Sequence, residues 1–168
     1  MTFEDINFDA EREYLKAVEA LEAGKWSSAF EVLIDITKNY PEFAKGYYSL
    51  GWLFFHKLGN HRLALKMYNK CLELDIESIK FQHSFIHVLI VMKEFKTLKT
   101  ILTSAEKLPG IDLSIIFDAY GQMYELQGDF DKALEYYKKS LELDINNGAV
   151  EHFNDAVKRC NRKQEILT

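Results

Sequence analysis

Apolar residues return at every third or fourth position along nearly the whole chain, and short polar turns break the pattern at regular intervals. Ala29 and Leu33, Ala64 and Tyr68, Leu98 and Leu102, and Ala133 and Tyr137 stand four apart, the spacing that stacks two side chains on one helical face. Phe85 with Leu89, and Phe117 with Tyr120 and Tyr124, extend the rhythm to the segments before the turns. Those turns carry Gly24, Gly59, Lys93 and Gly128. Glycine takes the left-handed conformation that ends a helix, and Trp26, His61, Phe95 or Phe130, two residues on, can seat the start of the next. The pattern predicts an all-α chain with paired helices near 10–23, 26–39, 44–57, 61–74, 78–91, 95–107, 113–126 and 130–143, and a last helix at about 147–165.

The pairs are copies of one unit. Residues 58–76 and 127–145 both run from a Gly-containing turn through an Ala and a Tyr to Leu-Glu-Leu-Asp-Ile. Equivalent positions at Ala29, Ala64, Leu98 and Ala133 are 35, 34 and 35 residues apart, the period of a helical repeat. The unit resembles the tetratricopeptide repeat, whose motif is Trp-x2-Leu-Gly-x2-Tyr, then Ala-x3-Phe, then Pro. The fourth copy fits it best, with Phe117, Tyr120, Gly121, Tyr124, Ala133 and Tyr137, and Ile145 in place of Pro. The first keeps Gly24, Ala29, Leu33 and Pro41, with Ala17 and Ala20 where Gly and Tyr would stand. In the second, Ala64, Tyr68 and Ile76 hold register, but Gly51 lies eight rather than seven residues before Gly59, implying a bulge or a longer turn. The third lacks both small residues yet keeps Phe85, Leu89, Phe95, Leu98 and Leu102 and stops at Pro109-Gly110.

The expected organisation is an N-terminal arm at 1–9, repeats at about 10–43, 45–78, 79–112 and 114–147, and a capping helix and tail at 147–168. Val150, Phe153, Ala156 and Val157 share one face of that last helix and suit the open end of a stack. The resemblance implies a right-handed superhelix of antiparallel helix pairs, an α-solenoid whose first helices line a concave groove. Projected onto that groove, the expected peptide-binding residues are Tyr14, Val18, Leu53, His56, Lys57, Lys80, His83, His87, Asp118 and Gln122, with Glu125 near the last two.

Composition narrows the function. Hydrophobic residues make up 48% and charged residues 28% of 168, with two prolines, which suits a chain that buries its own core. A net charge of −5 disfavours general nucleic-acid binding, which relies on clustered Lys and Arg. The acidic N-terminus and the lack of any run of ~20 apolar residues lead to the expectation of a cytoplasmic protein without a membrane partner. Cys71 and Cys160 are expected to be reduced thiols, with a bridge between them as the alternative.

No phosphate-cradling glycine loop and no nucleophile-base-oxyanion set is visible, so neither an enzyme nor a cofactor is expected. Glu73 with Asp75 and Glu142 with Asp144 recur at one repeat slot as solvated helix-end residues. His83 and His87 lie one turn apart, and with His56 they form an alternative metal-binding cluster. One subclass of the resembled family clamps a chaperone's C-terminal carboxylate, but its Lys, Asn, Lys and Arg slots hold Tyr14, Val18, Lys80 and Ser84 here, so that ligand is not expected. The expected function is a non-enzymatic interaction module or scaffold that binds a peptide segment of another protein. A small chaperone resembling those of type III secretion is the alternative. Trp52, Phe54 and Phe55 cover three faces of one helix, so at least one ring should reach the surface, where a homodimer contact is a second use for it.

Overall fold

The computed structural model describes residues 3–75, 79–144 and 147–167, with side chains described from Phe8 onward except at Lys80 and Asn147. The expected closing residues Ile76 and Ile145 and the side chain of Lys80 lie outside the described residues. Among the described residues all regular structure is helical: α1 (Phe3–Glu22), α2 (Trp26–Asn39), α3 (Ala44–His56), α4 (His61–Leu74), α5 (Ile79–Val91), α6 (Phe95–Ala105), α7 (Leu113–Gln127), α8 (Phe130–Leu143) and α9 (Asn147–Leu167). The main departure from the sequence expectation is at the start, where residues 3–9 of the expected arm are the first turns of α1. The extra residue between Gly51 and Gly59 falls in the turn, since α3 ends at His56 and Lys57 to Asn60 connect it to α4. No bulge is needed.

Helix boundaries follow local chemistry. The Asn60 side chain accepts a hydrogen bond from the Leu63 N–H at 3.1 Å, and Asp112 accepts from the Ser114 N–H at 2.9 Å. Asp129 does the same for Lys132 at the start of α8. Each satisfies a backbone donor that the first turn leaves free. Gly24, Gly59 and Gly128 all have positive φ, and Lys93 adopts the same left-handed conformation at φ 57°.

The repeat anchors are core. Ala29, Ala64, Leu98 and Ala133 are each 0% exposed, and the residues four later, Leu33, Tyr68, Leu102 and Tyr137, are buried with them. The chain divides into two units, Met1–Val88 and Leu89–Thr168, with the division inside α5. In the first, α1 packs on α2, α2 on α3 and α3 on α4, around Ala10, Ala17, Ala29, Leu33, Ile36, Phe43, Leu50 and Leu53. In the second, α6 packs on α7, α7 on α8 and α8 on α9. Phe130, Ala133 and Tyr137 meet Ala156 and Cys160 there, with Phe153 against them. Phe153, Ala156 and Cys160 thus pack α9 onto α8, while Val150, expected on the same face, is exposed. Cys71 and Cys160 are free and buried; burial, together with Asp75, pushes the Cys71 thiol up to about 12.

Candidate functional site

In the first unit a strip of rings and cations faces outward along α3 and its neighbours. Trp26, at the start of α2, lies 6.0 Å from Trp52 of α3. The Lys57 ammonium sits 4.2 Å from the centre of the Trp26 ring and 5.3 Å from that of Trp52, within cation–π range of both. Trp52 touches His56 at 5.1 Å, and the Phe55 ring contacts His56, His61 and His87 at 4.9, 4.8 and 5.3 Å. His56, Lys57 and His87 are exposed, and Trp52 and Phe55 are half-buried. Burial, then the charges of His87 and Lys57, lower the pKa of His56. Beside the strip, a cleft of about 270 Å³ is lined by Trp26, Phe30, Leu53, Lys57 and Leu58.

Several expected groove residues are occupied by the scaffold instead. The Tyr14 hydroxyl shares a 2.8 Å hydrogen bond with Ser49, and Tyr48 makes the equivalent contact with Ser84 at 3.1 Å. Tyr14 thus links successive first helices, α1 and α3. Leu53 is 1% exposed and belongs to the core, because a first helix packed on both its partner and its neighbour keeps only a narrow open strip. Val18 and His83 are half-buried. Among the described residues no three His, Cys, Asp or Glu side chains are grouped to hold a metal ion. His56, His83 and His87 do not form a three-ligand set; the aromatic ring of Phe55, a non-ligand, contacts both His56 and His87.

In the second unit Asp118 and Gln122 are brought together, with the Gln122 amide donating to Asp118 at 2.6 Å. His152 of α9 bonds the other Asp118 oxygen at 2.6 Å. Glu125, one turn on, is buried. It accepts hydrogen bonds from Tyr137 at 2.7 Å, from Arg159 at 3.2 and 3.3 Å and from Lys163 at 2.8 Å. Burial alone would raise its pKa, but the bonds from Arg159, Lys163 and Tyr137 outweigh it and hold the carboxyl near about 2. Around these groups lies a cavity of about 430 Å³, lined by Ile90, Val91, Lys93, Gln122, Glu125, Leu126, Tyr137, His152 and Arg159. Sequence reading missed the tie from α9, although the repeat register carries the signal. Ser49, Ser84, Asp118 and His152 stand 35, 34 and 34 residues apart, so α9 occupies the place of a further first helix.

Residues 44–75 and 121–147 each match the family profile described as tetratricopeptide repeat. The chain carries tetratricopeptide repeats. Over 90 residues it is 34% identical to the BBSome complex member BBS4 of Mus musculus and 33% identical to that of Bos taurus; each match covers 54% of this chain and 17% of the relative. The chain thus spans about a sixth of the length of these curated relatives. Among solved structures it superposes on Pseudomonas aeruginosa pilF with a TM-score of 0.75 at 19% identity, over 97% of this chain and 72% of that one. A MamA protein matches with a TM-score of 0.73 at 17% identity, over 94% and 93% of the two chains. These structural likenesses concern the fold. They support an all-α architecture of the tetratricopeptide-repeat type. No helix among the described residues is long and apolar enough to cross a membrane.

Proposed function

We propose that this tetratricopeptide repeat protein binds an extended segment of a partner protein, using the open strip of its first helices as the recognition surface. The observation that carries the reading is the run Trp26, Trp52, His56, Phe55 and His87 in the first unit, whose rings contact one another in sequence while His56 and His87 stay exposed. Half-buried aromatic rings with polar groups at their edge supply affinity and orientation at little conformational cost. Affinity is assigned to these rings and to Val18, and not to Leu53 or Tyr14. His56, Lys57, Lys80, His83 and His87 are assigned the orienting of polar groups, as are Asp118 and Gln122 in the second unit.

The test is to pan a displayed library of random peptides on the purified chain and to titrate the enriched peptides against the His56→Ala/His87→Ala variant. Both side chains are exposed, so the melting temperature should hold. Affinity should fall by about tenfold, the scale of two lost polar contacts at a partly desolvated site. Unchanged affinity in the variant would refute the assignment of this strip.

A further inference from the structure

We propose that the cavity of the second unit binds an internal acidic stretch of the partner, and that Lys93 selects it by pairing with an Asp or Glu side chain next to an apolar residue. This rests on the reading that the chain binds a partner segment, and it names the chemistry of that segment.

The first argument is conformational. Three of the four intra-repeat turns place glycine in the left-handed region, with φ of 69°, 61° and 82°, and the remaining one places Lys93 there at φ 57°. A side chain in that region is disfavoured, and nothing in the turn requires one. Residues held in that region concentrate at ligand-contacting and switch sites. Lys93 is exposed, makes no ion pair among the described residues, and lines the cavity between α5 and α9 of this unit.

The second argument is the make-up of the cavity. Val91 and Leu126 are 43% and 40% exposed on its wall, and Ile90 is buried behind them. Arg159 and His152 also line it, bonded to Glu125 and Asp118 respectively, which leaves Lys93 as its unpaired cation among the described residues. The one buried carboxylate of the lining, Glu125, is already engaged by Tyr137, Arg159 and Lys163, so two cations are set against it. In a chain of net charge −5, this lining is left with positive charge beside apolar surface. That combination complements a carboxylate flanked by an aliphatic or aromatic side chain, and it repels a basic segment.

The experiment uses the full chain and a library of random peptides about twelve residues long with acetylated and amidated ends, so that no terminal carboxylate is present. Enriched peptides are titrated against the chain and against Lys93→Gly, which supplies the residue used at the other three turns. The expected result is enrichment of Asp or Glu beside an apolar residue, with affinity about tenfold weaker in Lys93→Gly and a melting temperature that does not fall. Changing the peptide's acid to its amide should give the same loss, with no further loss in the variant. Peptides indifferent to Lys93→Gly overturn the proposal. If those peptides still weaken on His56→Ala/His87→Ala, the partner-segment reading survives and this inference alone fails; if no peptide is enriched, both fail.

Discussion

At the scale of single residues, Glu125 shows how a polar group can be worth more to the scaffold than to a ligand. Its carboxylate is buried, and its charge is sustained by Arg159 and Lys163, each nearly half exposed. Its folded pKa lies near about 2, below the ordinary value of 4.5. A depressed acid contributes stability that is complete above the ordinary value and is lost as the pH falls towards the folded one. Glu125→Gln should therefore cost about 2 kcal/mol at neutral pH, less than the full shift implies because the two cations face solvent. The gap between variant and parent in urea melts should close as the pH is lowered from 4.5 towards about 2; a gap that stays constant with pH would show that the carboxylate's charge is not what matters. Lys93 is the reverse case. Its left-handed backbone costs roughly 1 kcal/mol that glycine would not, and glycine's greater unfolded-state freedom offsets about half of that. The scaffold thus loses nothing if Lys93 is replaced by glycine, which is why that substitution separates binding from folding.

At the scale of elements, the helix boundaries were readable because each turn is written in residues with a local physical role. Asn60 and Asp129 cap the starts of α4 and α8 and Gly128 ends α7, and the boundaries of α2, α4 and α8 coincide with the expected ranges. What could not be read from periodicity was which apolar or polar face stays open. Tyr14 and Leu53 have the same helical spacing as residues that face solvent; Tyr14 is tied to Ser49, 35 residues away, and Leu53 is buried in a cluster that α1, α2 and α3 share. Glu125 and Asp118 were likewise legible as polar positions on α7, but not as partners of α9. The small residues at the helix crossings are a different matter, since their need is visible both in the motif and in the packing. A Cβ on Gly121 would lie 2.6 Å from the ring of Tyr137, which is buried and held by Glu125, whereas one on Gly51 would lie 3.1 Å from Tyr68. Alanine gains about 1 kcal/mol of helix propensity at either site. That gain should nearly cancel the milder crowding in Gly51→Ala, while Gly121→Ala should lose about 1–2 kcal/mol from overpacking. Equal chemical-denaturation midpoints for the two variants would contradict this ordering.

At the scale of the whole molecule, the two units each contain a cluster of buried residues of their own, one around Ala17, Leu33 and Leu53 and the other around Ala133, Tyr137 and Cys160. In repeat proteins stability is close to a sum of local terms and nearest-neighbour interfaces, so a perturbation is felt most strongly in the repeats that make the damaged contact. Glu125→Ala removes a buried acceptor for Tyr137, Arg159 and Lys163, all in the second unit, and such a loss is worth about 3 kcal/mol. Native-state hydrogen exchange then provides the whole-molecule measurement. Amides of α7, α8 and α9 should lose protection by most of that amount, while those of α1, α2 and α3 should change by a small fraction of it, because sub-global opening of the damaged unit costs less than unfolding the chain. An equal drop in protection from α1 to α9 would mean that the chain unfolds as one cooperative body.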